Sequence, residues 1–365
     1  MGMGIADIAR KTERALVRFG TERKAAQGWL PSIIGYYGFG DSTQVRVLGR
    51  VVMADPNAPA PTPANRKSQR GFQQFFTLQV PNHQVTVRVG DQAVETRTNE
   101  NGYIDVLIRD HGLDTGWQEV TIEASGADPI QAQVQIVAPG TTIGLVSDID
   151  DTVLVTWLPR SMIAAYNSWY LPTDMRKPVP GMADFYQDLL RKHPDAPVFY
   201  LSTGAWNTFS SLTLFLAKHG FPKGPLLLTD WGPTPTGLFR NGVEHKRVQL
   251  RNLIIDFPDI NWILVGDDGQ HDPLIFGNIA GEHPDRLAGI ALRNLSPQEH
   301  VLSHGSATPI DPANMAQRND VPYVQGSDGF ELLAEYQQHP FPREVTADMP
   351  ADVAAEVAAD AAADD

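Results

Sequence analysis

The stretch "TTIGLVSDIDDTV", residues 141–153, decides how this chain folds. Its apolar half is typical of a buried β-strand, and Asp148, Asp150 and Asp151 follow it directly. Carboxylates at this spacing repel each other unless a cation neutralises them or one of them keeps a proton. Both outcomes indicate a chemical site at the end of the strand.

Downstream of this stretch, apolar strand-like runs alternate with segments of helical periodicity. The predicted strands are residues 142–146, 197–201, 225–228, 262–266 and 287–292, and the predicted helices cover residues 182–193, 208–220 and about 245–255. This alternation predicts an α/β domain over residues 141–340, with a parallel sheet and helices on both faces. Such sheets place their functional sites just beyond the carboxyl ends of the strands.

The preceding region, residues 43–140, is predicted to be an antiparallel β-sandwich-like domain. Segments such as "HQVTVRV" (83–89) and "YIDVLIRD" (103–110) alternate between apolar and polar residues and are rich in β-branched side chains. The turn sequence "NENG" (99–102) separates two such runs. No catalytic group of residues stands out in this domain, and the identity of its protein partner stays open.

Both ends of the chain are strongly charged. Residues 1–42 are predicted to form an amphipathic helix and a connector, and residues 1–28 hold six basic side chains against three acids. Such a helix either packs on the body of the protein or lies on an anionic membrane. Residues 341–365 are predicted to be a disordered Ala-rich tail, whose seven acids from Glu344 onward supply half of the net charge of −14.

Composition excludes several classes of protein. The chain of 365 residues has no Cys, which excludes disulfides, thiolate metal sites and a Cys nucleophile. No apolar run reaches the roughly 18 residues that span a bilayer, and the N-terminus lacks the pattern of a secretory signal. The acidic balance argues against nucleic-acid binding. These features predict a cytoplasmic protein, with peripheral membrane contact through the basic helix as an open alternative.

Three further segments place polar residues at strand ends or at a helix start. They are "FYLSTG" (199–204) with Ser202 and Thr203, "EHKRV" (244–248) with Lys246, and "LVGDDGQHDP" (264–273) with Asp267, Asp268 and Asp272. Each alone has an ordinary explanation, such as a helix cap, an exposed charge or a turn. An EF-hand calcium loop that starts at Asp148 is excluded, because its sixth and twelfth positions are Val153 and Pro159 instead of Gly and Glu.

Taken together, these segments resemble the motifs of the haloacid-dehalogenase superfamily. The resemblance comprises D-x-D-x-T from Asp148, then Ser202, Lys246 and an acidic motif at Asp267, in the same order along the chain. The closer resemblance is to the catalytic domain of the fungal actin-patch-associated phosphatidate phosphatase and its bacterial relatives. It covers about residues 142–336.

This resemblance implies a Rossmannoid fold of the haloacid-dehalogenase type and a Mg²⁺-dependent phosphatidate phosphatase that forms an aspartyl-phosphate. Asp148 would be the nucleophile, and Asp150 would be the general acid and base. Ser202 would hydrogen-bond the phosphoryl group, and Lys246 would neutralise its charge.

The resemblance also implies a metal set and a substrate-binding set. The metal set is Asp148, the backbone carbonyl of Asp150, Asp267 and Asp272, with Asp268 as the alternative to Asp272. The substrate-binding set is Thr152, Thr203 and Gly204. The chain departs from the family motifs at Thr203, where they have Asn, and at Asp268, where they have Ser. The second departure leaves open which carboxylate meets the metal.

The spacing of the motifs leaves no room for a separate cap domain, which predicts an open site. About 25 residues, 153–177, form a flap rich in aromatic and basic side chains. This composition suits either contact with a lipid headgroup or packing of the flap on the sheet. The sequence therefore fits three functions. They are a phosphatidate phosphatase, a phosphatase for soluble phosphomonoesters, and a non-enzymatic scaffold whose β domain binds a protein.

Overall fold

Two large β-sheets form the framework of the protein, one mostly antiparallel and one parallel. The structure is a computed structural model that describes residues 20–21, 23–56, 78–155, 177–229, 242–269, 271–304 and 321–341. The predicted combination of an antiparallel and a parallel sheet with helices in one chain is confirmed.

Eight strands form the mostly antiparallel sheet. They are β1 (Leu30–Gly35), β2 (Gly38–Gly40), β3 (Gln44–Ala54), β4 (Gln84–Val89), β5 (Gln92–Arg97), β6 (Tyr103–Arg109), β7 (Gly116–Ala124) and β8 (Ile130–Ile136). Hydrogen bonds connect them in the order β1-β3-β2-β8-β7-β4-β5, with β6 also paired to β3. The described strands are thus connected in one hydrogen-bonded sheet, and the sandwich-like form of this domain stays a prediction. The β2–β8 pair is parallel.

Alternation of apolar and polar residues gives this sheet a core of its own. In β4, Val85, Val87 and Val89 are fully buried and the residues between them are not, because successive side chains of a strand point to opposite faces. Strands β1 and β2 lie inside residues 1–42, where the sequence predicts a helix and a connector. One Pro and three Gly residues in residues 30–40 conceal the strand pattern there.

The described residues of the second part of the chain form eight further strands. They are β9 (Ile143–Asp148), β10 (Leu154–Val155), β11 (Lys177–Pro178), β12 (Val198–Ala205), β13 (Leu226–Thr229), β14 (Asn261–Asp267), β15 (Leu287–Arg293) and β16 (Tyr323–Gly326). Six of them form a parallel sheet in the order β13-β12-β9-β14-β15-β16, and β10 pairs with β11 in a separate ribbon. The continuous apolar runs of β9, β12, β13, β14 and β15 fit a sheet that is covered on both faces.

Six helices accompany the parallel sheet in the described part of the chain. They are α1 (Met182–Leu190), α2 (Phe209–Lys218), α3 (Gly242–Asp256), α4 (Asp272–Glu282), α5 (Pro297–His304) and α6 (Gly329–Gln338). Helix α1 packs against α6, and α3 packs against α4. At the start of α6, the side chain of Asp328 accepts the backbone N–H groups of Phe330 and Glu331 and so caps the helix.

The hydrophobic core of the parallel sheet extends into the antiparallel sheet. Tyr36, Phe39, Leu48 and Val137 are buried members of this shared core. The antiparallel sheet keeps a second core of its own, to which β4 contributes. The two sheets are therefore packed against each other through apolar side chains.

Several sequence-based predictions lie outside the described residues. They are the N-terminal helix up to residue 19, the part of the flap over residues 156–176, and the acidic tail from residue 342 onward. Within the described ranges, no helix is long and apolar enough to cross a membrane.

Candidate active site

The carboxyl ends of β9 and β14 lie side by side in the middle of the parallel sheet. The chain proceeds from β9 outward to β12 and β13 and returns to β14 on the other side of β9. Ligand sites of parallel sheets lie where the strand order reverses in this way. Asp148 is the last residue of β9, and Asp267 is the last residue of β14, so the fold brings the two acids together.

Three buried carboxylates form an acidic cluster at this place. Asp148, Asp267 and Asp272 each offer one oxygen, and these three atoms lie within 4.8 Å of one another. Asp272 is the first residue of α4, where the helix dipole favours a negative charge. All three belong to the predicted metal set, and their binding of a metal stays a prediction.

Lys246 neutralises part of the charge of the acidic cluster. Its Nζ lies 2.7 Å from Oδ1 of Asp148 and 2.6 Å from Oδ1 of Asp272. The Lys246 side chain is only 4 % exposed, so it is not an ordinary surface charge on α3. Buried charges are tolerated in proteins when they are paired in this way.

Burial and mutual repulsion change the protonation of the acidic cluster. Burial is the main cause that raises the pKa of Asp148 to about 8; the charges of Asp272 and Asp150 act in the same direction, and Lys246 opposes them. Burial also raises the pKa of Asp267 well above its ordinary value. Burial alone would lower the pKa of Lys246, but the neighbouring carboxylates raise it. One lysine therefore does not neutralise this cluster.

Two carboxylate oxygens of the cluster are free to bind a metal ion. Oδ2 of Asp148 and Oδ2 of Asp272 are buried and have no hydrogen-bond partner in the part of the chain that the structure describes. Such unpaired buried oxygens cost free energy, and carboxylate oxygens are the ligands that hard divalent cations prefer. The acidic cluster could therefore hold a metal ion.

Asp150 lies beyond the end of β9 and contacts Ser202, which lies inside β12 (Val198–Ala205) and not after the predicted strand end at residue 201. The Ser202 hydroxyl donates to Oδ2 of Asp150 at 3.1 Å and accepts the backbone N–H of Gly204 at 2.9 Å. Ser202 is buried, whereas Asp150 is partly exposed. Asp150 is thus an acid that both solvent and a ligand can reach, as a general acid and base requires.

The three predicted substrate-binding residues differ in their exposure. Thr152 is fully buried, and its hydroxyl lies 3.5 Å from Oδ2 of Asp267. Thr203 is exposed and Gly204 is partly buried, and the carbonyls of both accept the hydroxyl of Thr229. Thr152 is therefore placed to shape the loop, and Thr203 is the most accessible of the three.

Asp268 faces away from the acidic cluster. Its Oδ1 accepts the backbone N–H of Leu295 at 2.7 Å and lies 3.3 Å from Nε2 of His300. Burial raises the pKa of Asp268, and the hydrogen bond from Leu295 opposes that shift. Of the two alternatives, Asp272 is therefore the residue that the fold brings to Asp148.

Close packing around the acidic motif requires Gly at two positions that the sequence-based site set omits. A Cβ on Gly269 would collide with Cδ1 of Leu295, and the Gly269 N–H donates to Oδ1 of Asp267 at 2.9 Å. A Cβ on Gly266 would lie 2.7 Å from Oδ2 of Asp272. Gly therefore lets the loop and α4 bring their carboxylates together. The sequence Gly-Asp-Asp-Gly (266–269) is the feature that could have indicated these two glycines.

A pair of buried hydroxyl groups supports the backbone of Asp148. The sequence-based set of site residues includes neither of the two side chains. The Tyr186 hydroxyl lies 2.6 Å from Oγ of Ser147, and Ser147 donates to the carbonyl of Asp148. Both side chains are fully buried. Tyr186 lies in α1, so this contact connects α1 to the end of β9. Nothing in the local sequence of Tyr186 indicates the contact.

Arg293 is a buried residue of the site region that is absent from the sequence-based set. At the end of β15, its guanidinium donates to the carbonyls of Asp151 at 2.7 Å and Ser327 at 3.0 Å. It also donates to the carboxylate of Glu299 at 2.7 Å. Asp151 has a left-handed φ of 62°, so Arg293 supports a strained point in the loop that follows β9. In the sequence, a charged residue at the end of an apolar run is the feature that could have indicated Arg293.

Replacing Arg293 by Met should lower the free energy of unfolding by about 3 kcal/mol, because the partly buried Glu299 and two backbone carbonyls lose their buried donor. Urea denaturation measures this loss. Arg251→Met is a matched control, since Arg251 pairs with Glu282 through two hydrogen bonds at the exposed surface and exposed ion pairs contribute little. Equal destabilisation by the two changes would contradict the prediction.

The segment that builds the site is similar to a known catalytic domain. Residues 143–294 match the family model of the catalytic domain of phosphatidate phosphatase APP1. The resemblance predicted from the motifs is confirmed. This APP1-like segment, residues 143–294, runs from β9 through β15 and contains the whole acidic cluster together with Lys246.

Two curated proteins are similar to the chain. Phosphatidate phosphatase APP1 of Saccharomyces cerevisiae is 26 % identical over 255 residues, which cover 63 % of this chain and 42 % of that protein. An uncharacterized protein of Schizosaccharomyces pombe is 24 % identical over 154 residues, which cover 42 % of this chain and 25 % of that protein. The chain thus spans less than half of the length of either relative.

Two solved structures show distant similarity to the chain. A carbohydrate acetylesterase from Xanthomonas citri is 9 % identical, with 83 % of this chain and 72 % of that chain covered and a TM-score of 0.32. A cycloisomaltooligosaccharide glucanotransferase from Paenibacillus is 10 % identical, with 73 % and 46 % covered and a TM-score of 0.20. At these TM-scores neither protein informs the fold or the function of this chain.

Proposed function

We propose that this protein is a Mg²⁺-dependent phosphatidate phosphatase that hydrolyses phosphatidate to diacylglycerol and phosphate. The observation that carries the proposal is the buried contact of Lys246 with Asp148 and Asp272, which joins residues from three separate motifs at one sheet edge. The similarity of the APP1-like segment to a phosphatidate phosphatase supports the substrate class. A scaffold without activity would not need these buried charges, which cost stability.

We further propose that the parallel sheet has the Rossmannoid fold of the haloacid-dehalogenase type. The central position of β9, with neighbours β12 and β14, supports this fold. In that arrangement the nucleophile ends the central strand, and the strand ends on either side supply its partners. Asp148 and Asp267 hold strand-end positions, and Ser202 lies in β12, one residue after Leu201, which pairs with Asp148.

Asp148 acts as the nucleophile in the proposed reaction. A carboxylate oxygen of Asp148 attacks the phosphorus, the bond between phosphorus and the glycerol oxygen breaks, and the phosphoryl group becomes an aspartyl-phosphate. Asp150 donates its proton to the leaving glycerol oxygen, which releases diacylglycerol. The partly exposed position of Asp150 suits this role.

Hydrolysis of the aspartyl-phosphate restores the enzyme. The ionised Asp150 takes a proton from water as that water attacks the phosphorus, and the bond to Asp148 breaks with release of phosphate. Ser202, which donates to Asp150 in the ligand-free structure, would donate to a phosphoryl oxygen instead. Lys246 holds its positive charge beside Asp148, where the phosphoryl charge gathers. Thr203 would lie against the bound phosphoryl group.

The acidic cluster, Asp148, Asp267 and Asp272, together with the backbone carbonyl of Asp150, would hold the Mg²⁺ ion. Mg²⁺ suits this donor set because it takes oxygen ligands and keeps several waters, so that a few carboxylates suffice. Bound there, Mg²⁺ supplies positive charge that offsets the phosphoryl oxygens and the carboxylates.

Mg²⁺ should stabilise the protein more at about pH 8 than at about pH 5. Burial raises the pKa of Asp148 from 3.8 to about 8, so the metal-free folded state keeps a proton that the unfolded chain releases. Stability of the metal-free protein therefore falls as the pH rises through this range, and Mg²⁺ removes the penalty by replacing the proton.

Scanning calorimetry in Mg²⁺ and in EDTA measures the Tm gain at each pH. Asp148→Asn should flatten this dependence, and an equal gain at both pH values in the parent protein would contradict the prediction.

The proposed substrate is a lipid at a membrane surface, reached by a cytoplasmic protein through peripheral contact. The ribbon of β10 and β11 follows the Asp150 loop directly. Residues 156–176 between these strands contain four aromatic side chains and two arginines, a composition that suits an anionic headgroup at an interface. The alternative is a soluble phosphomonoester in the same open site.

A substrate panel tests the proposed function. Phosphate release is measured from phosphatidate in detergent micelles, from sugar phosphates and from nucleotide monophosphates, each with Mg²⁺ and with EDTA. Mg²⁺-dependent release that is fastest with phosphatidate supports the proposal. Faster release from a soluble ester would favour the alternative, and no release from any substrate would overturn the enzyme assignment.

A further inference from the structure

We propose that the β domain, defined here as β1 to β8 (residues 30–136), positions the Ser202 loop of the parallel sheet instead of being an independent module. For its catalytic consequence this inference rests on the proposed function. The Ser202 loop is the name used here for residues 202–208, which are the last four residues of β12 and the 3₁₀ turn Trp206–Thr208 that precedes α2. The contact between the two is aromatic and lies close to the acidic cluster.

Tyr36 is the residue of the β domain that meets the Ser202 loop. Its ring stacks on the ring of Trp206 with a centroid distance of 4.4 Å and an interplanar angle of 28°. It also meets Phe209 edge-on at 5.0 Å. Tyr36 is 3 % exposed and Trp206 is partly exposed, so the Tyr36 side of the stack is shielded from water, and aromatic pairs of this kind add to the free energy of area burial.

Tyr36 is itself held firmly in the β domain. Its backbone N–H donates to the carbonyl of Leu48 in β3 at 3.0 Å. Phe39, three residues further on, is buried in β2 and contacts Phe199 of β12 edge-on at 5.1 Å. The β1–β2 connection thus presents a rigid aromatic surface to the strand that leads into the Ser202 loop.

Hydrogen bonds connect Trp206 to the site within four residues. The Thr208 hydroxyl donates to the carbonyl of Ala205, which fixes the turn on which Trp206 lies. The Gly204 N–H donates to Oγ of Ser202, and Ser202 in turn donates to Asp150. A displacement of the Trp206 ring would therefore move the Ser202 hydroxyl relative to Asp150.

A second aromatic contact holds the same two surfaces together. Tyr37 meets Phe209 edge-on at 5.2 Å and Trp117 of β7 at 5.0 Å. Lys223, which precedes β13, lies over the Trp117 ring with its Nζ 3.7 Å from the centroid. This cation–π contact joins the two domains independently of Tyr36. Tyr36 can consequently be changed without separating the domains.

Tyr36→Ala tests the inference, and two matched variants accompany it. Tyr36→Phe keeps the ring and should behave as the parent protein. Trp29→Ala removes a ring of similar size that packs against the separate core of the β domain. Hydrogen exchange is measured by mass spectrometry on peptides that cover residues 202–208. We expect at least about tenfold faster exchange there in Tyr36→Ala and no change in Trp29→Ala.

The catalytic readout uses Mg²⁺-dependent phosphate release from the best substrate of the panel. Tyr36→Ala should lower kcat/KM by about tenfold, because small displacements of a positioning group reduce the rate. Trp206→Ala should have the same effect, and the double variant should lose little more, since one contact is removed in each case. A melting curve for each variant checks that it folds.

Two outcomes separate this inference from the proposed function. Unchanged exchange of residues 202–208 in folded Tyr36→Ala would overturn the inference, whatever the activity. Additive losses in the double variant would also overturn it, because they would show that the two rings act separately. Absence of phosphatase activity in the parent protein would instead overturn the proposed function and leave the exchange result as the test of positioning.

Discussion

Changing Asp148 to Asn is expected to abolish phosphate release, with a loss of at least about a thousandfold in kcat/KM. The amide is a much weaker nucleophile than the carboxylate, so the aspartyl-phosphate does not form. Phosphate release in Mg²⁺ measures the loss. Mass spectrometry of enzyme quenched during turnover should find a phosphoryl adduct on the peptide with Asp148 in the parent protein and none in the variant.

The Asp148→Asn variant should remain folded, because Lys246 keeps its contact with Asp272 and the change removes one buried charge. Asp150→Asn is the matched comparison, since it alters the neighbouring acid of the same loop. It should retain more activity on an ester with a good leaving group, which needs little protonation, than on phosphatidate. Full Mg²⁺-dependent turnover by Asp148→Asn would refute the assignment of the nucleophile.

Changing Lys246 to Met is expected to lower the free energy of unfolding by about 3–5 kcal/mol at about pH 8. The change leaves the acidic cluster without its counter-charge in a buried place. The loss should be smaller at about pH 5, because the raised pKa of Asp148 lets that carboxyl keep its proton there. Urea denaturation in EDTA at the two pH values measures the effect. Phosphate release in Mg²⁺ should be lost at both pH values.

Two further variants show whether charge is the cause of this loss. Lys192→Met removes an exposed lysine after α1 and should change the free energy of unfolding by less than about 0.5 kcal/mol. The double change of Lys246→Met and Asp272→Asn should recover part of the stability, since it also removes one negative charge, but no activity. A double variant less stable than Lys246→Met would contradict an electrostatic origin.

Much of the parallel sheet could be predicted from the sequence, because most residues of β9, β12, β13, β14 and β15 are buried. Continuous apolar runs such as the one before Asp148 carry a strong signal, and the alternation with helices predicts their parallel arrangement. The β1 and β2 strands could not be predicted in this way, because Gly and Pro interrupt their pattern. The short strand β16, residues 323–326, lacks enough length for any periodicity to show.

The sequence could predict which motif residues lie at strand ends, but the choice between neighbouring acids depended on packing. Asp268 follows Asp267 directly, yet it turns to the N–H of Leu295, and Asp272 reaches the cluster from α4. This orientation of Asp268 depends on the close packing of Gly269 against Leu295. Leu295 is far in sequence from Asp268 and Gly269, so no local pattern indicates these contacts.

The amino-acid sequence by itself determined the α/β architecture of the second part of the chain and the position of its motif residues at strand ends. Both follow from local periodicity, because burial on one or two faces imposes a repeat on successive residues. Only the tertiary structure decided that Arg293 supports the loop after β9, that Tyr186 supports the carbonyl of Asp148, and that Tyr36 stacks on Trp206. These contacts join residues distant in sequence, and the packing of whole elements, which has no sequence repeat, brings them together.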